Sequence, residues 1–238
     1  MQKWEELIND EQKQEMKNLL VGNKTTNLRE KYSKIEPSDF SLSDNWNQMK
    51  KKMILIGTST GGPSALQSVL TKLPSNIQAP IIISQHMPSG FTKSLANRLN
   101  SLSEINVKEA ENREVIISGT AYIAPGGFHL KLKKLGDNIV VQLEKSIQKC
   151  VHCPSVDVMF ESASRFNDYG KIVVLMTGMG SDGSKGLISL KRSGQVRAIA
   201  QSKETSIVFG MPRAAIATDL IDEIKDLENI AETIIKYV

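Results

Sequence analysis

The sequence predicts an α/β protein with three layers: a mostly parallel, twisted sheet, helices on both of its faces, and a small β-hairpin. Three observations predict it. Apolar runs at residues 53–56, 79–85 and 171–176 lack the polar alternation of a half-exposed strand, as strands covered on both faces do. Each is followed by a turn and then by a stretch with apolar residues at helical spacing. Two runs, 129–132 and 139–143, flank Gly136-Asp137-Asn138, the composition of a hairpin turn.

Taken in order, the elements are these. Residues 1–50 read as a linker with one helix: residues 4–20 place Trp4, Leu7, Ile8, Met16, Leu19 and Leu20 in a charged background, and residues 21–50 are polar and irregular. Residues 51–238 read as the folded domain. Within it, residues 53–56 form a buried strand bounded by Gly57. Thr58, Ser59 and Thr60 make the turn, Gly61 and Gly62 supply backbone freedom, and Pro63 opens a helix over 63–72. The strand at 79–85 ends at His86. A turn at Met87-Pro88-Ser89-Gly90 precedes a helix over 92–102 carrying Leu95, Ala96, Leu99 and Leu102. Short strands are expected at 106–111 and 121–124, then the hairpin. Pro154-Ser155-Val156-Asp157 starts a helix reaching about Arg165. The strand at 171–176 ends in Thr177-Gly178-Met179-Gly180-Ser181-Asp182-Gly183, and a helix over 184–193 follows. A strand at 197–200 and helices at 211–218 and 231–237 complete the chain.

Composition narrows the function. The 238 residues carry a net charge of +4 with lysines and glutamates interspersed, which gives a solvated surface and no nucleic-acid stripe. No apolar run approaches the ~20 residues of a membrane span. The N-terminus has no apolar core of a secretory signal. Two cysteines, Cys150 and Cys153, fit a reduced, cytoplasmic protein. Cys150-Val151-His152-Cys153 resembles half a zinc site, but no second pair completes it, and no metal is expected.

Ser59, His86 and Asp182 each follow a buried strand. Parallel strands bring such loops to one rim, the carboxyl edge where open sheets place their functional crevice. A neutral imidazole can take the proton of a serine hydroxyl, and a carboxylate on the other ring nitrogen fixes its tautomer. The Ser59 turn meets a helix N-terminus, which suits either a nucleophile beside an oxyanion hole or an anion-binding loop. Singly, each residue has an ordinary structural reading: a turn serine, a strand-end histidine, a turn or helix-capping aspartate. A Walker phosphate loop is excluded because Pro63 follows Gly62. The dinucleotide fingerprint fails at Ser59, and the order Ser, His, Asp differs from that of α/β-hydrolases.

Six blocks in order, IGTSTGGPSAL, ISQHMPSGFTKSLANRLN, AYIAPGGFHL, PSVDVMFES, VLMTGMGSDGSKGL and AIAQSKETSIVFGMPRAAI, resemble the catalytic domain of the bacterial chemotaxis protein-glutamate methylesterases over residues 51–238. The resemblance implies a parallel-sheet α/β domain with Ser59 as nucleophile, His86 as base and Asp182 as the orienting acid. It places Met179 where backbone helps to hold an oxyanion, and Thr60 in the lining of the site. It implies hydrolysis of γ-glutamyl methyl esters on methyl-accepting chemotaxis receptors in the cytoplasm, and deamidation of receptor glutamines, with no cofactor. Family members usually carry a receiver domain, for which residues 1–50 are too short. A stand-alone form, a truncated form or control by a separate receiver or kinase is therefore expected. Gln201-Ser202-Lys203-Glu204 replaces the family's usual acidic pair, and Cys153 stands where a basic residue is common; both changes lie outside the triad. Two rival functions fit the same residues: a serine hydrolase for small esters or another protein, and a non-enzymatic module whose Ser59 loop binds an anion or partner.

Overall fold

The computed structural model describes residues 45–145 and 152–238, all within the unit that runs from Pro37 to Val238. The helix expected over 4–20, and Cys150, lie outside the described residues. Strand β1 (Lys51–Thr58) is buried from Met53 to Thr58, because its side chains pack on both sides of a sheet. Ile54 and Ile56 point into one core, Met53 and Leu55 into the other. Each such side chain contributes about 1.5–3 kcal/mol on leaving water, so this strand anchors both layers at once.

Among the described residues seven strands form one sheet in the order β3-β4-β2-β1-β7-β8-β9, and every neighbouring pair in it is parallel. They are β1, β2 (Ile81–Gln85), β3 (Asn106–Glu109), β4 (Thr120–Ile123), β7 (Tyr169–Leu175), β8 (Val196–Gln201) and β9 (Glu223–Lys225). Helices α1 (Gly62–Leu70), α2 (Phe91–Leu102) and α6 (Leu227–Tyr237) cover one face, through Leu66, Leu70, Leu95, Leu99, Ile230 and Ile234. Helices α3 (Val156–Ala163), α4 (Ser184–Ser193) and α5 (Met211–Ile216) cover the other with the antiparallel hairpin β5 (Phe128–Leu135) and β6 (Asn138–Lys145). The three-layer α/β architecture and the hairpin are those expected from the sequence.

Boundaries differ where apolar pattern is not what sets them. The hairpin extends to eight residues a strand, because its outer, polar rungs still pair: Lys133 with Val140, and Phe128 with Lys145. Strand β9 was not expected: it is three residues long with Ile224 turned outward, and it exists because Ala200 and Gln201 of β8 leave an edge to pair with. Helix α6 begins four residues earlier than expected, at Leu227. Trp46, in a short 3-10 turn ahead of β1, is buried with its ring edge-on to Tyr237.

Candidate active site

Strands β2, β1 and β7 are adjacent, so their carboxyl ends deliver His86, Ser59 and Asp182 side by side. Strand order reverses here: the chain runs from β1 to β2 on one side and returns to β7 on the other, the position where open parallel sheets form a crevice.

The Ser59 turn is held by its neighbours' backbones. Ser59 N donates to Thr177 O at 3.0 Å, and Gly62 N closes the turn on Ser59 O at 2.8 Å. Gly61 adopts φ +81°, which a side chain would strain, and Pro63 sits in the first turn of α1. Gly178 lets the β7 loop lie against the serine: a Cβ there would stand 2.8 Å from Ser59 Cβ. Met179, the next residue, therefore lies beside the serine turn. Thr60 is exposed, and its carbonyl accepts from Thr177 Oγ1 at 2.8 Å. Among the described residues no hydrogen bond takes the N–H of Thr60 or Met179.

His86 and Asp182 are paired at 2.7 Å, Nε2 to Oδ2, with side chains only 9% and 7% exposed. Asp182 is a carboxylate surrounded by donors. Its Oδ2 also accepts from Val156 N at 2.7 Å, and its Oδ1 from Ser155 Oγ at 3.0 Å, Asp157 N at 2.9 Å and Gly183 N at 3.1 Å. Burial alone would raise its pKa. The hydrogen bond and charge of His86, with the N–H groups of Asp157 and Val156, outweigh that and hold it well below the carboxylate range. An ionised Asp182 has only acceptors to offer, so His86 Nε2 carries the proton and neutral His86 keeps Nδ1 as its lone-pair nitrogen. Nδ1 is buried and has no partner among the described residues. Ser59 Oγ does not bond to it here; such nucleophile–base contacts commonly tighten only once substrate is bound.

Asp182 was expected either to serve chemistry or to cap a helix; its carboxylate contacts both a histidine and a helix start. Gly183, at φ +98°, is the N-cap of α4, while the Asp182 carboxylate sits on the first N–H groups of α3. In return Asp157, in the first turn of α3, accepts from Gly183 N and Gly186 N of α4, both at 2.8 Å. The two carboxylates thus cross between two helix starts. Burial is the main cause that pushes Asp157 up to about 6, and the charge of Asp182 adds to it against the hydrogen bonds from Gly186 and Gly183.

The sign follows from linkage. A carboxyl raised in the folded state favours folding most below its ordinary value of 3.8, and that contribution is lost as pH rises through 6. The amide oxygen of Asp157→Asn can accept both glycine N–H groups without the charge. We expect the variant to be more stable than the native protein above pH 6, by about 1–2 kcal/mol, with the gain shrinking as pH falls from about 6 to 4. Thermal unfolding at about pH 8 and about pH 4.5 measures it, and an equal gain at both would remove the ionisation argument.

Two glutamines have roles at the site that were not read from the sequence. Gln85, buried at the end of β2, donates to both Ser59 O at 3.0 Å and His86 O at 2.8 Å, bridging the two loops. Gln201, at the end of β8, accepts from Thr177 N at 2.8 Å and donates to Thr205 O at 2.8 Å. The only sequence signal for either is a glutamine ending an apolar strand, a residue rarely buried without a partner. Among the described residues no group of three His, Cys, Asp or Glu is arranged to hold a metal ion, and no helix is long and apolar enough to cross a membrane.

A parallel α/β sheet that presents a serine, a histidine and a histidine-bound aspartate on adjacent strand ends has the layout of a serine hydrolase. The CheB methylesterase family matches residues 54–234. The chain belongs to that family. It is 58% identical over 186 residues, 78% of its length, to a protein-glutamate methylesterase/protein-glutamine glutaminase of Halalkalibacterium halodurans, of which 54% is covered. It is 48% identical over 188 residues to the protein of the same name from Bacillus subtilis, with 79% of this chain and 53% of that protein covered. The chain spans about half the length of the curated relatives it matches. It also matches the whole crystal structure of the Thermotoga maritima CheB methylesterase catalytic domain, with TM-score 0.74 and 44% identity over 79% of this chain.

Proposed function

We propose that residues 51–238 form a serine esterase that hydrolyses γ-glutamyl methyl esters on chemoreceptor helices in the cytoplasm, and that residues 1–50 are a linker. The observation that carries this is the His86–Asp182 pair at 2.7 Å beside the Ser59 turn, in a chain of this family. In this reading Ser59 Oγ attacks the ester carbonyl while His86 Nδ1 takes its proton. Asp182 stabilises the imidazolium and holds Nε2–H in place. The oxyanion is held by backbone N–H groups near Ser59 and by that of Met179, with Thr60 lining the site. His86 returns the proton to the departing methanol. Water, deprotonated by His86, then cleaves the glutamyl-serine ester, leaving a glutamate carboxylate and free Ser59. A glutamine side chain follows the same route with ammonia as the leaving group, in keeping with the double names of the relatives. Each turnover leaves one more negative charge on a receptor helix, which changes repulsion at neighbouring positions.

The test is methanol release from membranes carrying methylated chemoreceptors. Release above that of heat-inactivated protein is the expected result. Hydrolysis of small methyl esters without any release from receptors would replace this substrate with the small-ester alternative.

A further inference from the structure

The third side chain at the pair belongs to His152, which the mechanism above does not use. Its ring lies face to face with that of His86, centroids 4.2 Å apart and planes 9° from parallel. His86 is otherwise fixed at one nitrogen, Nε2, and Nδ1 has no partner among the described residues. One hydrogen bond defines a point on an imidazole and leaves its plane free to tilt, since the second torsion of histidine has broad wells. A parallel ring at contact distance removes that freedom.

We infer that His152 is a positioning residue: by stacking on His86 it sets the plane of the imidazole, and with it the direction in which Nδ1 points. The inference rests on the reading of His86 as the base. The short segment His152–Asp157 then orients both members of the pair. His152 covers the imidazole face, while Ser155 Oγ and the N–H groups of Val156 and Asp157 bind Asp182. The segment is tied across the site by Gly127 N donating to Cys153 O at 3.1 Å.

The electrostatics agree with this geometry. Burial, and then the charge of His86, push the His152 pKa down, with Asp182 opposing. Both causes favour the neutral form of His152, and a neutral ring over His86 does not repel an imidazolium as a second cation would.

Two substitutions of similar bulk separate orientation from space-filling. His152→Phe keeps a flat ring over His86; His152→Leu fills the volume without one. Each is compared with the native protein and with His86→Ala for the rate at which a fluorophosphonate labels Ser59, and for kcat and KM on a methyl ester. The ring-proton resonance of His86 gives a readout independent of activity. We expect His152→Leu to label and turn over about 10–100-fold more slowly at unchanged KM, the scale of a misaligned catalytic group. His152→Phe should recover most of that rate and keep the His86 proton shielded by the ring above it, while His152→Leu loses the shielding. Native labelling in His152→Leu, or equal losses in both variants, would overturn the inference. Native labelling in His86→Ala would instead sink the reading of His86 as base, so the two failures are distinguishable.

Discussion

Ser59→Ala is expected to lose essentially all hydrolysis of receptor methyl esters while keeping its melting temperature. The chemical loss is large because the nucleophile cannot be replaced by its partners: removal of a serine that works with a histidine costs about 10⁶-fold in kcat in a comparable triad. The stability effect is small for a reason visible in the structure. Ser59 is partly exposed, and its turn is held by its own N–H and C=O groups, bonded to Thr177, Gly62 and Gln85. Loss of a hydroxyl at such a position stays within about 0.5 kcal/mol. Methanol release and fluorophosphonate labelling measured beside a thermal melt decide the matter. Residual turnover above about one per cent of native, a margin set by the size of the expected loss, would remove Ser59 from the role of nucleophile.

Asp182→Asn should cost both activity and stability. An amide in place of the carboxylate favours the wrong imidazole tautomer, for which the serine-protease counterpart loses about 10⁴ in kcat. The structure adds a second cost. The carboxylate accepts five hydrogen bonds, from His86, Ser155, Val156, Asp157 and Gly183. An asparagine offers one oxygen, and its NH₂ faces donors that it cannot satisfy. A buried donor left unmatched costs about 1–3 kcal/mol, so the variant should fold but melt several degrees lower. Native turnover would show that Asp182 serves only the helix ends. Lost turnover with an unchanged melt would show that the backbone bonds adapt.

The sheet was legible in the sequence because strands covered on both faces are written in consecutive apolar residues, and β1, β2 and β7 are. The three loops of the site were legible for the same reason: parallel strands of known polarity fix which ends share a rim, so Ser59, His86 and Asp182 could be grouped without coordinates. What escaped was polar and tertiary. Gln85 and Gln201 act through side-chain hydrogen bonds to loops, Ser59 and Thr177 among them, that no spacing rule connects to them. His152 read as a member of a cysteine-flanked motif, since its partner is 66 positions away and only the packing of α3 against the sheet makes them neighbours. Asp157 read simply as a helix-start acid, which it is, but on behalf of the next helix. Strand β9 is three residues, Glu223-Ile224-Lys225, too short for its alternation to mark a strand, and its apolar residue faces outward.

The crossed carboxylates of Asp157 and Asp182 have a consequence for how the domain fails. The same atoms that align the imidazole also close the first turns of α3 and α4. If the first turn of α3 frays, the amide hydrogens of Val156 and Asp157 open to exchange, and Asp182 loses two of the bonds that set it against His86. On the proposed mechanism, a population of molecules with weakened helix starts is a mixture of competent and silent ones, not a graded series, and partial loss of activity on warming is expected to count the open fraction.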